Sequence, residues 1–528
     1  MNPIRHILIV GGGVAGWLTA AFLARTLGEV AGGVRVTLVQ ADDIGPAGVD
    51  EGTLPAIRGM LAAIGLDEAR FVQACGATFR QGTAFADWSR IGERYVHPLE
   101  APSQRPGMPE LTPYWLLGQA STDDTPRSLA DAVSTQPRVA GAARAPKRAS
   151  DGDWVGPLNY AYHVDTARFA ALLAEHAQSL GVERVDATVD RIELRGGSHV
   201  AAVVTREHGA LTADLFVDCT GARATLIAGA LGAAAKPVDD VLFVDRALTL
   251  QVPWPDADTA IPACTIATAQ EAGWTWDIGL HGHRSVGHAW SSRHASAEQA
   301  ERVLRRYVGP AAEAMTPRYV RLDTGYRETP WIGNCVAVGA SAGLLEPLES
   351  SGVGLVESAV RLIARLLPAD GGLEPAARQF NEQMRARFEG AVDFLKLHYA
   401  LSHRDDTAFW RDNADPASWT PALRERLARW RRRPPCPLDF SADLALYPLS
   451  SWQYVLYGMG YRTSLPHDPA AWPRPAQARL EFARIAQAAQ HALADLPEHR
   501  ALVDALRARA SSPAAQQPAA DELRSICR

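Results

Sequence analysis

The chain has 528 residues, 47% hydrophobic and 21% charged, a balance that supports a large folded core and excludes wholesale disorder. A formal net charge of -6 argues against a nucleic-acid binder, which needs a basic excess. The six cysteines (Cys75, Cys219, Cys264, Cys335, Cys436 and Cys527) are scattered without a CxxC pair, so neither a disulfide framework nor a zinc site is expected, and a reducing, cytoplasmic setting fits. Among 53 basic residues only Lys147, Lys236 and Lys396 are lysine.

Ile7–Val10 reads as a buried parallel strand, Gly16–Leu27 as the next helix and Val34–Gln40 as a second strand. Ile7–Ala24 carries no charge, but its triple glycine marks a strand, turn and helix in place of a membrane span. Thr53–Leu66 and Asp67–Ala74 read as helices. The stretch from Glu100 to Asp153, rich in Pro, Ser, Thr and Ala, reads as a long excursion of loop and short helix. Asp165–Gly181 is a helix by its apolar spacing. Val182–Leu194, His199–Glu207 and Asp214–Cys219 read as strands, as do Leu242–Val252, Thr275–Leu280 and Val286–Ser291. Ser296–Val308 is helical, Cys335–Val338 is a buried strand, and Gly354–Leu367 is a helix. From Glu374 the chain is helical and rich in Arg and Trp. No internal repeat is present.

Gly11-Gly12-Gly13-Val14-Ala15-Gly16 satisfies GxGxxG directly after a strand and at the start of a helix. There the glycines let backbone approach a pyrophosphate, and the helix N-terminus supplies N–H groups. The ribose position at the end of the second strand is Gln40 in place of an acid, followed by Asp42 and Asp43; its amide can still bond ribose hydroxyls. Two more segments, DLFVDCTGA at Asp214–Ala222 and CVAVGASAG at Cys335–Gly343, are strands running into small-residue turns. Each alone is a tight turn, but together with the first motif they favour FAD over NAD.

Several stretches carry a further likeness: GGGVAGWLTA (Gly11–Ala20), IGPAGVDEGTLPAI (Ile44–Ile57), GATFRQGTAFADW (Gly76–Trp88), GWTWDIGL (Gly273–Leu280), EPLESSGVGL (Glu346–Leu355) and LHYALSHRDDTAFWRD (Leu397–Asp412). From Ile4 to Tyr461 the chain resembles the flavin-dependent halogenases of the tryptophan-halogenase family. The resemblance implies an α/β fold: a Rossmann-like, FAD-binding box with β-sheet insertions over residues 1–373 and a mainly helical pyramid over 374–510; the low-complexity stretch Ser511–Gln517 reads as the start of a frayed tail over 511–528. It implies FAD supplied reduced by a separate NAD(P)H-dependent flavin reductase, with oxygen and a halide (chloride or bromide) as co-substrates. The partners it implies are that reductase and an aromatic small molecule; it admits a homodimer and needs no nucleic acid or membrane.

The resemblance also assigns residues. Flavin contacts fall on Gly11, Gly13, Val14, Ala15, Gly16, Ala41, Ile44, Ala47, Val49, Gly52, Ala340 and Val353. The halide cradle falls on Ser351 and Gly352, and the catalytic glutamate on Glu349. The family lysine that presents electrophilic halogen falls on Arg80. Trp274 and Trp276, which alternate along a strand and share a face, would screen substrate from flavin. His97 and Trp452 would grip a flat aromatic ring. The family pattern is broken at Asp50, where glycine is expected, and at Gly279, where proline is expected.

Arg80 is the departure with chemical weight. A guanidinium stays charged and is a poor nucleophile, so a halamine is disfavoured there while hydrogen-bond activation of hypohalous acid survives. The bland alternative for Arg80 is a salt-bridge arginine; for Glu349, a carboxylate at a helix N-terminus; for the two tryptophans, core packing. The expected activity is halogenation of an aromatic, indolic or tryptophan-like substrate. The alternatives are a monooxygenase that has lost halide chemistry through Arg80, or a non-catalytic flavin-binding relative.

Overall fold

The computed structural model describes residues 3–28, 33–41, 50–103, 105–120, 127–368, 370–441, 445–466 and 468–512. Its first sheet has six strands, in the order Trp331–Ile332, Cys335–Ala337, Leu215–Asp218, His6–Val10, Arg35–Gln40 and Glu183–Asp186. All pairings are parallel except the outermost hairpin. Ile7, Leu8 and Ile9 are fully buried, as expected where helices cover both faces of a parallel sheet. The helix Val14–Leu27 follows the first strand directly. The turn between them needs glycine: Gly11 has φ +120°, and a β-carbon there would stand 2.2 Å from the carbonyl oxygen of Cys219.

A second sheet of seven strands runs in the order Arg318–Arg321, Arg246–Pro253, His283–Trp290, Gly273–Gly279, Thr265–Gln270, Gly82–Ala86 and Arg94–Pro98. It carries the Trp274–Trp276 pair at its centre. Gly287, opposite Trp276, leaves room for the indole, which a β-carbon would meet at 2.0 Å. A three-stranded antiparallel sheet lies beside it, with Ala161–Val164 between Glu51–Gly52 and Thr78–Arg80.

The C-terminal helices are Leu373–Ala400, Ala408–Ala414, Pro421–Trp430, Leu449–Gly458, Pro475–Asp495 and His499–Ala510. In the first of these, every residue from Ala391 to Ala400 is buried. One hydrophobic core runs from Ile7 in the first strand to Leu506 in the last helix. Among the described residues, no helix is long and apolar enough to cross a membrane, and no group of three His, Cys, Asp or Glu side chains is placed to hold a metal.

The structure corrects several boundaries. Thr53–Leu66 contains the helix Ala56–Ala63 alone, ended by Ile64 and Gly65. The helix expected from Gly354 begins at Ser351. The strands Thr78–Arg80, Gly82–Ala86, Arg94–Pro98, Ala161–Val164 and Thr265–Gln270 were not among those expected. Ser511 and Ser512 close the last helix, and the rest of the expected tail lies outside the described residues.

Candidate active site

The site is built where the small sheet, the seven-stranded sheet and the helix Ser351–Leu366 meet. Before that helix the backbone takes two consecutive left-handed steps, Glu349 (φ 58°, ψ 18°) and Ser350 (φ 59°, ψ 41°). Such a conformation costs about 1–3 kcal/mol for each non-glycine residue. Glu349 is therefore not a first-turn carboxylate beside a helix dipole: it lies ahead of the helix, on a strained turn that sends its side chain inward. The phenol of Tyr447 donates to the carbonyl of Glu349 (3.1 Å) and helps hold that turn.

The Glu349 carboxylate is buried and surrounded by donors. His97 Nδ1 lies 2.7 Å from Oε1, and Thr83 Oγ1 donates to Oε2 at 3.2 Å. Arg80 Nη2 reaches Oε2 at 3.4 Å, and His398 Nε2 lies 3.4 Å from Oε1. Burial alone would raise the Glu349 pKa, but His97 and His398 outweigh it and hold the carboxyl well below the usual range. Glu349 is thus an anion throughout the working pH range.

Arg80 sits on the strand Thr78–Arg80 and is fully buried. Besides Glu349, its guanidinium donates to Thr53 O (2.9 Å), Thr83 Oγ1 (2.8 Å) and Thr265 Oγ1 (3.3 Å). Burial lowers its pKa and the Glu349 charge opposes that shift. These contacts leave one Nη1 N–H without a partner among the described residues. Arg80 is thus a salt-bridge arginine, though a buried one, and its partner is the very glutamate with which the sequence paired it.

The aromatic residues form a cage on the His97 side. The His97 ring is 5.9 Å from Phe394 and 6.2 Å from Tyr454, and Phe394 stacks on Tyr447 at 4.1 Å. Trp452 stands behind Phe394 at 5.1 Å, among Trp430 and Phe440 and with the Arg426 guanidinium 5.0 Å above it. Trp274 and Trp276 are 5.8 Å apart. Trp274 Nε1 donates to Glu346 Oε2 (3.1 Å), which also accepts from the Tyr399 phenol (2.6 Å). Among the described residues, Tyr95 OH, His97 Nε2 and Trp276 Nε1 are buried without a hydrogen-bond partner. Leaving a buried polar group unmade costs about 1–3 kcal/mol, which a ligand or water recovers by pairing with it.

The dinucleotide loop fits a pyrophosphate. At Gly12 and Gly16 a β-carbon would collide with the protein itself, at 2.0 Å from Gln40 Oε1 and 1.8 Å from Gly11 O. At Gly13 nothing lies within 4 Å, and Gly13 precedes the helix that starts at Val14 and Ala15 without any side-chain cap. Open space over uncapped helix N–H groups is what an anionic group needs. Gln40 has protein partners of its own: its Oε1 accepts from Trp17 Nε1 (3.2 Å) and its Nε2 donates to Asp186 (3.4 Å). Asp218 ties the turns after Asp218 and Val338 together, accepting from Thr220, Leu226, Ile227 and Ser341. Next to them a cavity of about 610 Å³ is lined by Ala222 and Ala340.

Gly52 packs between Ser350 and Arg80, and Val353 is buried in the first turn of its helix. Ala41 ends the second strand's exit, while Ile44, Ala47 and Val49 lie outside the described residues. Arg80, Glu349, His97, Ser351, Gly352 and Gly52 therefore converge. Sequence reasoning missed Thr83, His398 and Tyr447, which complete the surroundings of Glu349. Thr83 and His398 lay inside motifs already quoted, without being singled out, whereas Tyr447 lay in none of them.

The model of the tryptophan halogenase family matches residues 6–473. A tryptophan 6-halogenase of Streptomyces toxytricini is 36% identical over 94% of this chain and 97% of its own length. A tryptophan 7-halogenase of Lentzea aerocolonigenes is 31% identical over 84% and 85%. The crystal structure of a tryptophan halogenase from Shewanella frigidimarina superposes with a TM-score of 0.90 at 36% identity, over 96% of this chain and 98% of the other. A match of this extent makes the chain a member of the tryptophan halogenase family.

Proposed function

We propose that the protein halogenates an electron-rich aromatic ring of indolic type, using FAD, oxygen and a halide. The observation that carries this reading is the buried Arg80–Glu349 pair, set between an aromatic cage and the Ser351–Gly352 helix start. FAD, held by the Gly11–Gly16 loop and supplied reduced by a separate NAD(P)H-dependent reductase, provides with oxygen the oxidising power that turns halide into hypohalous acid. The N–H groups of Ser351 and Gly352 seat the halide at the positive end of their helix. Trp274 and Trp276 wall this region from the cage.

Arg80 presents the electrophile. Its unengaged Nη1 N–H donates to the oxygen of hypohalous acid and polarises the oxygen–halogen bond. The aromatic carbon attacks the halogen, and hydroxide leaves as that bond breaks. Glu349, an anion fixed by His97 and Thr83, takes the proton from the same ring carbon as aromaticity returns, and water is the product of the departing hydroxide and a proton. Arg80 is held by four contacts and stays cationic, so no nitrogen–halogen bond is needed. His97, Phe394 and Tyr447 hold the flat ring.

The test is mass spectrometry on an indole library, with FAD, a generic flavin reductase and bromide. Bromide-dependent addition of one bromine in place of hydrogen is expected. Oxygenated product independent of bromide would replace this reading with that of a monooxygenase.

A further inference from the structure

The two-residue strand Glu51–Gly52 is short, but its register is fixed: Glu51 pairs with Val164 and Gly52 with His163. That pairing presses Gly52 against the strained turn, where a β-carbon would stand 2.6 Å from Ser350 Oγ. Glu51 is thereby carried to the start of the helix Ser351–Leu366. A β-carbon on Gly352 would meet Glu51 Oε2 at 3.5 Å and Oε1 at 3.9 Å. No hydrogen bond or ion pair to the Glu51 carboxylate is present among the described residues. A carboxyl group without a partner among the described residues therefore lies beside Gly352, at the helix start to which the proposed function assigns the halide.

The charged neighbours do not neutralise it. Asp50 adjoins it and is itself bound by His283 Nε2 (3.2 Å) and Gln251 (3.4 Å). Arg80, on the next strand but one, is committed to Glu349 and three oxygens. His163, opposite Gly52, bonds Thr265 Oγ1 (2.8 Å), and the third nearby carboxylate, Glu349, is an anion. Burial and the Asp50 charge push the Glu51 carboxyl up to about 7.

We propose that Glu51 is a positioning residue of the halide site: as a neutral acid it completes the cradle, and as an anion it excludes the halide. This rests on the reading that Ser351 and Gly352 seat the halide. One helix start stabilises one anion, and two anions a few ångströms apart repel. A neutral carboxyl group removes that repulsion and offers an O–H donor. The sign follows. Below about pH 7 Glu51 is protonated and halide binds with its full affinity; above it, each proton must be taken up again on binding, so affinity falls about tenfold per pH unit.

The experiment is bromide titration of the FAD-loaded, oxidised protein, followed by bromine NMR line broadening from about pH 6 to about pH 9, with the parent and Glu51→Gln. The parent should bind bromide with constant affinity at the acid end and about tenfold weaker per pH unit at the alkaline end. Glu51→Gln, neutral at every pH, should give a flat profile, and in turnover its bromide KM at alkaline pH should fall while kcat at saturating bromide holds. A parent affinity independent of pH, or a variant that keeps the parent's slope, overturns the role of Glu51 and leaves the halide site standing. Absence of saturable broadening in the parent at every pH removes the halide-site reading, and this inference with it.

Discussion

Arg80 and Gly13 test the two halves of the site at the scale of single side chains. Removing Arg80 takes away the unengaged Nη1 N–H that the proposed function gives to hypohalous acid, and leaves Glu349 with His97, His398 and Thr83 as neighbours. Arg80→Ala should reduce bromination of an electron-rich indole by about a hundredfold or more, in line with loss of one preorganised donor, while FAD still binds. Arg80→Lys should retain product: an ammonium can make a directed hydrogen bond and can add nucleophilicity, though it is shorter and loses the planar fork. Single-turnover mass spectrometry with bromide checks both. An alanine variant as active as the parent removes Arg80 from the chemistry. Of the glycines in the first loop, Gly13 has open space around it and φ -80°, so a side chain there fits the protein and not a bound pyrophosphate. Gly13→Val should lose at least about tenfold in FAD affinity, about 1.4 kcal/mol, with unchanged circular dichroism. Equal affinity in a folded variant would leave the loop a packing device. The Gly11–Gly16 loop was legible because its spacing is local. The Arg80–Glu349 pair, 269 residues apart, came within reach only through family motifs; Thr83, inside one of those motifs, was not singled out, and Tyr447 lay in none, because nothing in a run of residues reports which distant turn it will face.

Among the elements, the last helix has a part that its position in the chain conceals. His499, at the start of His499–Ala510, is fully buried. Its Nε2 accepts from the backbone N–H of Phe79 (2.9 Å), beside Arg80, and its Nδ1 donates to Ile261 O (3.0 Å). The strand that carries Arg80 is therefore fixed from one side by a helix more than 400 residues later. His499→Ala should leave two buried backbone groups unsatisfied, at about 1–3 kcal/mol each, and lower both Tm and turnover. His499→Gln, which can still accept and donate, should recover part of each. A Tm unchanged in His499→Ala, measured by differential scanning calorimetry, would show that water replaces the ring at no loss. The parallel strands and long amphipathic helices were legible because uninterrupted apolar runs and helical spacing are strong signals. The strands Gly82–Ala86 and Thr265–Gln270 were not: they pair with each other in parallel, and their small, mixed residues show neither alternation nor a continuous apolar run.

For the molecule as a whole, the question is where reducing equivalents enter. The sequence holds a single GxGxxG directly after a strand, and the structure gives it to the first βα turn. A nicotinamide dinucleotide would need a second phosphate site. The cavity beside Ala222 and Ala340 is large enough, about 610 Å³, and its wall includes Arg246, Arg293, Arg321 and Arg327. Three of these guanidinium groups are already neutralised: Arg246 by Asp245 (2.9 Å), Arg293 by Asp239 (2.6 Å) and Arg321 by Asp323 (2.5 Å). The fourth, Arg327, is buried and donates to the carbonyls of Ser341 and Ala233. A phosphate entering there would have to displace a carboxylate from each rim arginine, exchanging one anion for another with little gain. The protein should therefore not oxidise NAD(P)H itself. Stopped-flow mixing of FAD-loaded protein with NADPH under anaerobic conditions should leave the flavin absorbance unchanged on the timescale of turnover, and a catalytic amount of an unrelated flavin reductase should bleach it. Rapid bleaching by NADPH alone would overturn the separate-reductase reading. Its loss in Arg246→Ala and Arg321→Ala would then locate the dinucleotide in that cavity.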